Sequence, residues 1–266
     1  MAHKARKRFG QNFLHDQYII DNILGSLFYN QDQHWVEIGP GQGALTEPLL
    51  SGGVQLDVVE LDRDLVRLLQ YKFKQYSNLT IHSSDALKFD FSSLAKADEK
   101  LHILGNLPYN ISTPLMFHLL ENTPRIADMT FMLQKEVVDR ICADPGSKKY
   151  GRLSIMMQYY CATEHLFDVP PESFSPAPKV MSSIVRLVPH AQPPVIVDSI
   201  KMLNTVVTTA FSQRRKTLRN SLKKLITEAN ISALDIDPTL RAETISLQDF
   251  AKLSHYINHN PLEEAV

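Results

Sequence analysis

Gly105-Asn106-Leu107-Pro108-Tyr109-Asn110-Ile111-Ser112 sets an amide, a proline and an aromatic ring within four positions, directly after the apolar run Leu101-His102-Ile103-Leu104. The run reads as a buried strand. Thr113-Pro114 reads as a helix start, with Thr113 as N-cap and Pro114 at the first helical position. Asn106 to Tyr109 then sit in the loop at the carboxyl end of a strand, where open α/β sheets bind ligands. Asn106 offers an amide oxygen, Tyr109 a flat face, and Pro108 stiffens the loop while supplying a carbonyl without an N–H. Acceptors beside an aromatic plate suit the exocyclic amino group of a base stacked on that plate. Alone, the stretch reads as well as a proline turn capped by Asn106, with Tyr109 as core filler.

Three further strand ends carry chemistry. His34-Trp35-Val36-Glu37-Ile38 is a short strand running into Gly39-Pro40-Gly41-Gln42-Gly43-Ala44. Gly39 and Gly41 let backbone approach a ligand closely as the helix around Leu45 to Leu50 opens. This turn also satisfies G-x-G-x-x-A, so by itself it does not separate NAD from another adenosine-containing cofactor. The strand Leu56 to Glu60 ends in an acid, and a carboxylate there accepts from both hydroxyls of a ribose. Leu79 to His82 is a third strand, with Asp85 just past its tip, positioned for the amino group of adenine. Loop carboxylates are common, but three adenosine-directed features on successive strand ends outweigh the bland reading.

Together these residues point to methyl transfer from S-adenosylmethionine to a base amine. The amine lone pair is delocalised into the ring. The Asn106 side-chain oxygen and a backbone carbonyl near Leu107 or Pro108 can accept both N–H bonds, favouring a tetrahedral nitrogen and stabilising the positive charge that develops. No strong base is needed, because the methylated ammonium loses its proton to water. The base must leave its stack to reach such a loop. Tyr109 on one face and Phe174 on the other would hold it; Phe174 belongs to the proline-rich stretch Phe174-Ser175-Pro176-Ala177-Pro178-Lys179, and it reads equally as an ordinary packing aromatic.

The elements that position these groups follow from periodicity. Apolar spacing predicts helices over 16–28, 62–76, 114–121 and 135–143 and a strand over 129–133, with 154–169 and 180–188 as further extended stretches. Residues Pro189 to Pro194 form a linker, and beyond it the pattern is purely helical. The expected organisation is a catalytic, cofactor-binding domain over 1–190 and a helical RNA-binding domain over 195–266. In the latter, Phe211 to Leu225 holds Arg214, Arg215, Lys216, Arg219, Lys223 and Lys224 with no acid, which reads as a polyanion contact. Lys4 to Arg8 is a second basic run, either a solvated tail or a phosphate-contacting arm. Phe9 to Leu14 reads as a segment that packs down over something.

The 266 residues, 44% hydrophobic and 21% charged, leave room for one large and one small domain. A net charge of -1 gives no global attraction for nucleic acid, so local clusters must supply it. Cys142 and Cys161 show neither a pairing pattern nor metal spacing, which suits a reducing compartment. The ten His read as scattered, without a ligand pair at helical spacing joined by other ligand types, so no metal is expected. No apolar run approaches the ~20 residues that span a membrane, and no signal-peptide core follows the basic start. A monomer in the cytoplasm is expected.

At this point the chain resembles a known family. Gly10-Gln11-Asn12-Phe13-Leu14, Glu37-Ile38-Gly39-Pro40-Gly41, Glu60, Asp85-Ala86, Gly105-Asn106-Leu107-Pro108-Tyr109, Gln134-Lys135-Glu136 and Phe174 to Val180 are similar to the motifs of the ribosomal RNA adenine dimethyltransferases, most of all the bacterial small-subunit branch. The resemblance covers Lys7 to about Pro189 and extends to the helical tail. It implies an α/β fold, a Rossmann-like, seven-stranded and mostly parallel sheet with one antiparallel strand, plus a small all-helical carboxyl-terminal domain. It implies that Asn12, Leu14, Gly39, Gly41, Glu60, Asp85 and Asn106 line the cofactor site. It also implies N6,N6-dimethylation of two adjacent adenines near the 3′ end of 16S rRNA, in an assembling small ribosomal subunit. The rivals are a large-subunit rRNA dimethyltransferase, a DNA adenine methyltransferase (whose Asn-Pro-Pro-Tyr loop differs at Leu107), a ribosome-assembly factor whose binding outweighs its catalysis, and an NAD oxidoreductase.

Overall fold

A computed structural model of the chain describes residues 11–96, 98–108, 111–121 and 123–262. Its elements, in order, are β1 (Phe13–Leu14), α1 (Gln17–Leu27), β2 (His34–Ile38), α2 (Thr46–Ser51), β3 (Gln55–Glu60), α3 (Arg63–Lys72), β4 (Leu79–Ser83), β5 (Leu101–Asn106), α4 (Ser112–Leu120), β6 (Ile126–Gln134), α5 (Lys135–Ile141), α6 (Arg152–Tyr160), β7 (Cys161–Val169), β8 (Phe174–Ser175), β9 (Ser182–Pro189), α7 (Ile200–Phe211), α8 (Leu218–Ser221), α9 (Glu228–Ala233) and α10 (Leu247–His259). Seven strands form one sheet in the order β4-β3-β2-β5-β6-β9-β7, and β1 pairs with β8 apart from it. β4, β3, β2, β5 and β6 pair in parallel, and β9 runs antiparallel to β6. This is the mostly parallel α/β sheet expected for a methyltransferase of this class. All five residues of β2 are buried, as parallel strands covered on both faces must be.

The order turns outward on either side of β2: β3 lies next to it in one direction and β5 in the other. Ligand crevices open at such a switch point, beyond the carboxyl ends of the strands. β2 and β5 run in register with Ile38 opposite Gly105. A Cβ on Gly105 would sit 2.6 Å from the Ile38 carbonyl oxygen, so only glycine lets the two strands come this close. β5 therefore continues to Asn106, which pairs with Met132 on β6. The expected strand stopped at Leu104; Asn106 is the last strand residue, not a loop residue. The following helix also starts earlier than expected. Ile111 is its N-cap, without a side-chain cap bond. The turn is closed instead by the Pro108 carbonyl, which accepts from the Ile111 and Ser112 N–H groups, each at 3.1 Å.

The expected extended stretch over 154–169 is half helix. α6 occupies Arg152–Tyr160, and Cys161–Val169 alone is a strand. Ser154 reaches back to accept from the Gly151 N–H at 3.0 Å, capping the helix start. Ser154, Ile155, Met156, Met157 and Tyr159 are all buried, so α6 lacks the polar face that periodicity detects.

Contacts divide the chain into two compact units, Met1–Val138 with Glu164–Pro189, and Asp139–Thr163 with His190–Val266. The second unit thus takes in a segment upstream of the proline-rich linker, because Tyr150, Ile155 and Tyr159 belong to the same buried cluster as Leu203, Val207, Leu218, Phe250 and Leu253. Ser246 caps α10, accepting from the Asp249 N–H at 3.1 Å, while the Asp249 carboxylate accepts from the Ser246 N–H at the same distance. Among the described residues, no helix is long and apolar enough to cross a membrane.

Candidate active site

A cavity of about 360 Å³ opens at the switch point of the first unit, walled by the turns after β2, β3, β4 and β5 and by the segment that carries β1. That volume lies within the range of small-molecule sites. Asn12, Leu14, Gly39, Gly41, Glu60, Asp85, Asn106, Leu107 and Pro108 all line it. Tyr109 lies outside the described residues.

The floor is the glycine turn. Gly39 (φ 69°), Gly41 (φ 58°) and Gly43 (φ 83°) all occupy the left-handed region that favours glycine. The Gly39 N–H donates to the Val59 carbonyl at 3.0 Å, tying the tip of β2 to that of β3. A Cβ on Gly43 would come within 2.6 Å of the Phe73 ring, so this position is closed by packing as well as by backbone angle.

Chain entry forms the lid side. Asp16 caps α1 by accepting from the Tyr18 N–H at 3.0 Å. Its other oxygen accepts from the Ser173 hydroxyl at 2.9 Å, and the His15 N–H donates to the Ser173 carbonyl at 3.0 Å. β1 then pairs with β8, with Leu14 opposite Phe174. Both side chains are in one buried cluster, with Phe174 only 4% exposed. Phe174 is not among the residues on the cavity wall. Of its two sequence readings, the packing aromatic accounts for this placement: its ring anchors Leu14, and through β1 it holds Gln11 to Leu14 over the cavity.

Asn106 is oriented by this same segment. Its side-chain nitrogen donates to the Asn12 carbonyl at 3.0 Å. An amide oxygen turned toward that carbonyl would face another oxygen, so the orientation is set by chemistry, and Oδ1 remains the acceptor available to a ligand. The Pro108 carbonyl already accepts two N–H bonds. Since a carbonyl has two lone pairs, the second acceptor of the loop is the Leu107 carbonyl rather than that of Pro108.

The electrostatics of the wall are one-sided. Glu37, Glu60 and Asp85 line the cavity, and among the described residues no Lys, Arg or His stands on its wall. Glu60 accepts from the Asp62 N–H at 2.8 Å. Burial raises its pKa, and hydrogen bonds from the Asp62, Gly41 and Leu61 backbones offset part of that. Glu37 is 2% exposed and accepts from the Thr46 hydroxyl at 2.5 Å. Burial above all, with the neighbouring Glu60 charge, pushes its carboxyl up to about 7. In the sequence Glu37 stands within the Glu37-Ile38-Gly39-Pro40-Gly41 motif without an expected role of its own. Its signal was present: a carboxylate inside a strand of otherwise buried type. The Asp85 carboxylate accepts from the Leu87 N–H at 3.0 Å, which turns the chain past β4. Leu61, 50% exposed on the same wall, adds an apolar surface beside it. Hydroxyl acceptors, an amine acceptor, an apolar plate and surplus negative charge suit a cationic adenosine derivative. A pyrophosphate would meet three acids there and, among the described residues, no base.

In the second unit, the basic stretch is a turn and a short helix. Arg214, Arg215, Lys216 and Arg219 are all exposed. The stretch has no acid in sequence, yet folding brings two: Arg214 pairs with Glu243 at 3.3 Å and Arg219 with Glu228 at 2.9 Å. Sequence reading also passed over a histidine pair. His255 and His259 stand at i, i+4 on α10, and Asp198 lies against both. The expectation that no His pair has ligand spacing is therefore corrected.

The family model for ribosomal RNA adenine dimethylase matches residues 2–259. A ribosomal RNA small subunit methyltransferase A from Pseudomonas aeruginosa is 57% identical over 259 residues, covering 97% of each chain. One of the same description from Hahella chejuensis is 54% identical over 263 residues, covering 99% of this chain and 96% of the other. Among solved structures, a dimethyladenosine transferase from Plasmodium falciparum superposes with a TM-score of 0.77 at 27% identity, over 91% of this chain and 95% of that one.

Proposed function

The chain belongs to the ribosomal RNA adenine dimethylase family, and from that premise we propose that it dimethylates N6 of two adjacent adenines near the 3′ end of 16S rRNA during assembly of the small subunit. S-adenosylmethionine supplies an electrophilic methyl group on a sulfonium. The observation that supports the reading is a cavity wall that bears three acids and, among the described residues, no Lys, Arg or His, with Asn106 on that wall and its side-chain nitrogen bound to the Asn12 carbonyl. Glu60 takes the ribose hydroxyls and Asp85 the adenine amino group, and these carboxylates favour a cation, whose charge would in turn draw the buried Glu37 toward its ionised form. Gly39 and Gly41 give the ligand close access to backbone, while Asn12 and Leu14 close over it.

The target amine is held by Asn106 Oδ1 and the Leu107 carbonyl, each accepting one N–H. This pulls the nitrogen toward tetrahedral geometry and directs its lone pair at the methyl carbon. The same oxygens would stabilise the positive charge on nitrogen as the C–N bond forms and the methyl–sulfur bond breaks, its electron pair leaving on the sulfur of S-adenosylhomocysteine. The proton then leaves to water. Displacement at a sulfonium needs no Lewis acid. Pro108 stiffens the loop, Tyr109 stacks on the extruded base, and Phe174 acts at one remove by holding Leu14.

The first unit, residues 1–138 with 164–189, serves as the catalytic domain, and the helical residues 195–266 of the second as the RNA-binding domain, in a cytoplasmic monomer. Arg214, Arg215, Lys216 and Arg219 meet phosphates. The test is transfer of tritiated methyl groups to purified small and large subunits, followed by nucleoside identification. Label in N6,N6-dimethyladenosine from small subunits alone is expected. Label confined to large subunits, or subunit binding without label, would displace this reading in favour of a large-subunit enzyme or an assembly factor.

A further inference from the structure

Asp198, His255 and His259 form the one group of three or more metal-ligating side chains found among the described residues, each offering an atom within 4.8 Å of the others. His255 Nδ1 lies 2.5 Å and His259 Nδ1 3.5 Å from the same oxygen, Asp198 Oδ2. The two rings are 4.6 Å apart, one turn of α10 separating them. Residues four apart on a helix share a face, and two His at this spacing with a carboxylate from elsewhere is a ligand pattern for first-row metals. The third ligand comes from the residue just before Ser199, the N-cap of α7.

We propose that Asp198, His255 and His259 bind one divalent transition-metal ion, with Zn²⁺ the preferred physiological occupant. Zinc takes imidazole nitrogen and carboxylate oxygen at ~2.0–2.2 Å, so tetrahedral ligands stand about 3.4 Å apart. The separations here, 2.5 Å to at most 4.8 Å, bracket that value. His259 Nδ1 also lies 2.9 Å from the His255 carbonyl. A neutral ring that donates there presents Nε2 as a ligand, and the bond to the carbonyl fixes the orientation of the ring. Two imidazoles and a carboxylate select zinc, nickel, cobalt or copper over calcium and magnesium. All three side chains are exposed, at 64%, 55% and 37%, so an ion reaches them without opening the core. Bound there, it joins the entry of α7 to the last turn of α10, two helices that share the buried cluster of Leu203, Val207, Phe250 and Leu253.

The test uses the untagged full chain. Titration calorimetry with ZnCl₂ and with CaCl₂ is run on wild type, Asp198→Asn and the double variant His255→Gln/His259→Gln. Wild type should bind one more zinc ion per chain than the double variant, and Asp198→Asn should weaken that site about tenfold or more. Zinc should raise the melting temperature of wild type and leave the double variant unmoved. Calcium should not bind at this site. Equal zinc stoichiometry and affinity in wild type and double variant would overturn the proposal, as would calcium binding as tightly as zinc. Should a variant fail to fold, Co²⁺ added to wild type decides: ligation shifts and broadens the NMR signals of the His255 and His259 rings first, and a cobalt effect that spares them refutes the site.

Discussion

Replacing Glu37 by Gln should stabilise the first unit at neutral pH and flatten its pH dependence. In the folded protein the Glu37 carboxyl is held at about 7, against an ordinary value of 4.5. Between those limits the folded chain keeps a proton that the unfolded chain has lost, so stability falls as pH rises. At about 1.4 kcal/mol for each pH unit between the two values, the loss amounts to about 3 kcal/mol by pH 8. Burial is complete on the side-chain scale, 2% exposed, so solvent screening removes little of it. A Gln can keep the Thr46 bond through its oxygen while carrying no charge, so the penalty vanishes. The protein supplies its own probe: Trp35, its single tryptophan, is fully buried two residues away on β2. Urea unfolding followed by Trp35 fluorescence, from pH 4.5 to 8, should show Glu37→Gln gaining up to about 3 kcal/mol over wild type at the upper end and converging with it at the lower. Parallel curves for the two proteins would mean that Glu37 ionises normally and that burial does not govern it.

Glu60→Ala should weaken S-adenosylmethionine binding by ~1.5–3 kcal/mol for each hydroxyl bond lost; unchanged affinity by calorimetry removes Glu60 from the ribose site, and tight NAD binding would revive the oxidoreductase. Gly105→Ala drives a methyl group to 2.6 Å from the Ile38 carbonyl and should lower unfolding free energy by ~1–3 kcal/mol in urea melts. Arg215→Ala and Lys216→Ala should each reduce the salt slope of subunit binding by about one, the mark of a lost phosphate contact; Arg214→Ala and Arg219→Ala should do less, since each already neutralises an acid, and a quadruple variant with the wild-type slope would make the patch a solvated face. Tyr109→Phe should keep most activity while Tyr109→Ala loses about ten- to a hundredfold in kcat/KM, the worth of one stacked base; equal losses would assign the effect to the hydroxyl.

Much of the site was legible because its parts sit at strand ends, where Gly39, Gly41, Glu60 and Asp85 break the apolar runs before them. What failed did so for physical reasons. Gly105 and Asn106 look like turn residues, yet the closeness of β2 and β5 requires a glycine inside the strand, and that need is visible only once the neighbour is in place. α6 is buried nearly all round, so its periodicity carries no polar face to read. The acids that pair with Arg214 and Arg219 are remote in sequence, as is Asp198 from the histidines on α10. Phe174 shows the limit of motif reading, since its place in a recognisable stretch does not tell whether the ring faces ligand or core.

The acidic wall also bears on turnover. Two methyl groups on each of two adenines require four donors in succession, so the spent molecule must leave as readily as the fresh one enters. Donation removes the positive charge from the sulfur, and Glu37, Glu60 and Asp85 then have no cation to offset. Burial holds the Glu37 carboxyl at about 7, and a cation beside it favours the ionised form while its loss favours the protonated one. The wall therefore attracts the fresh donor more than the spent one, a bias toward exchange.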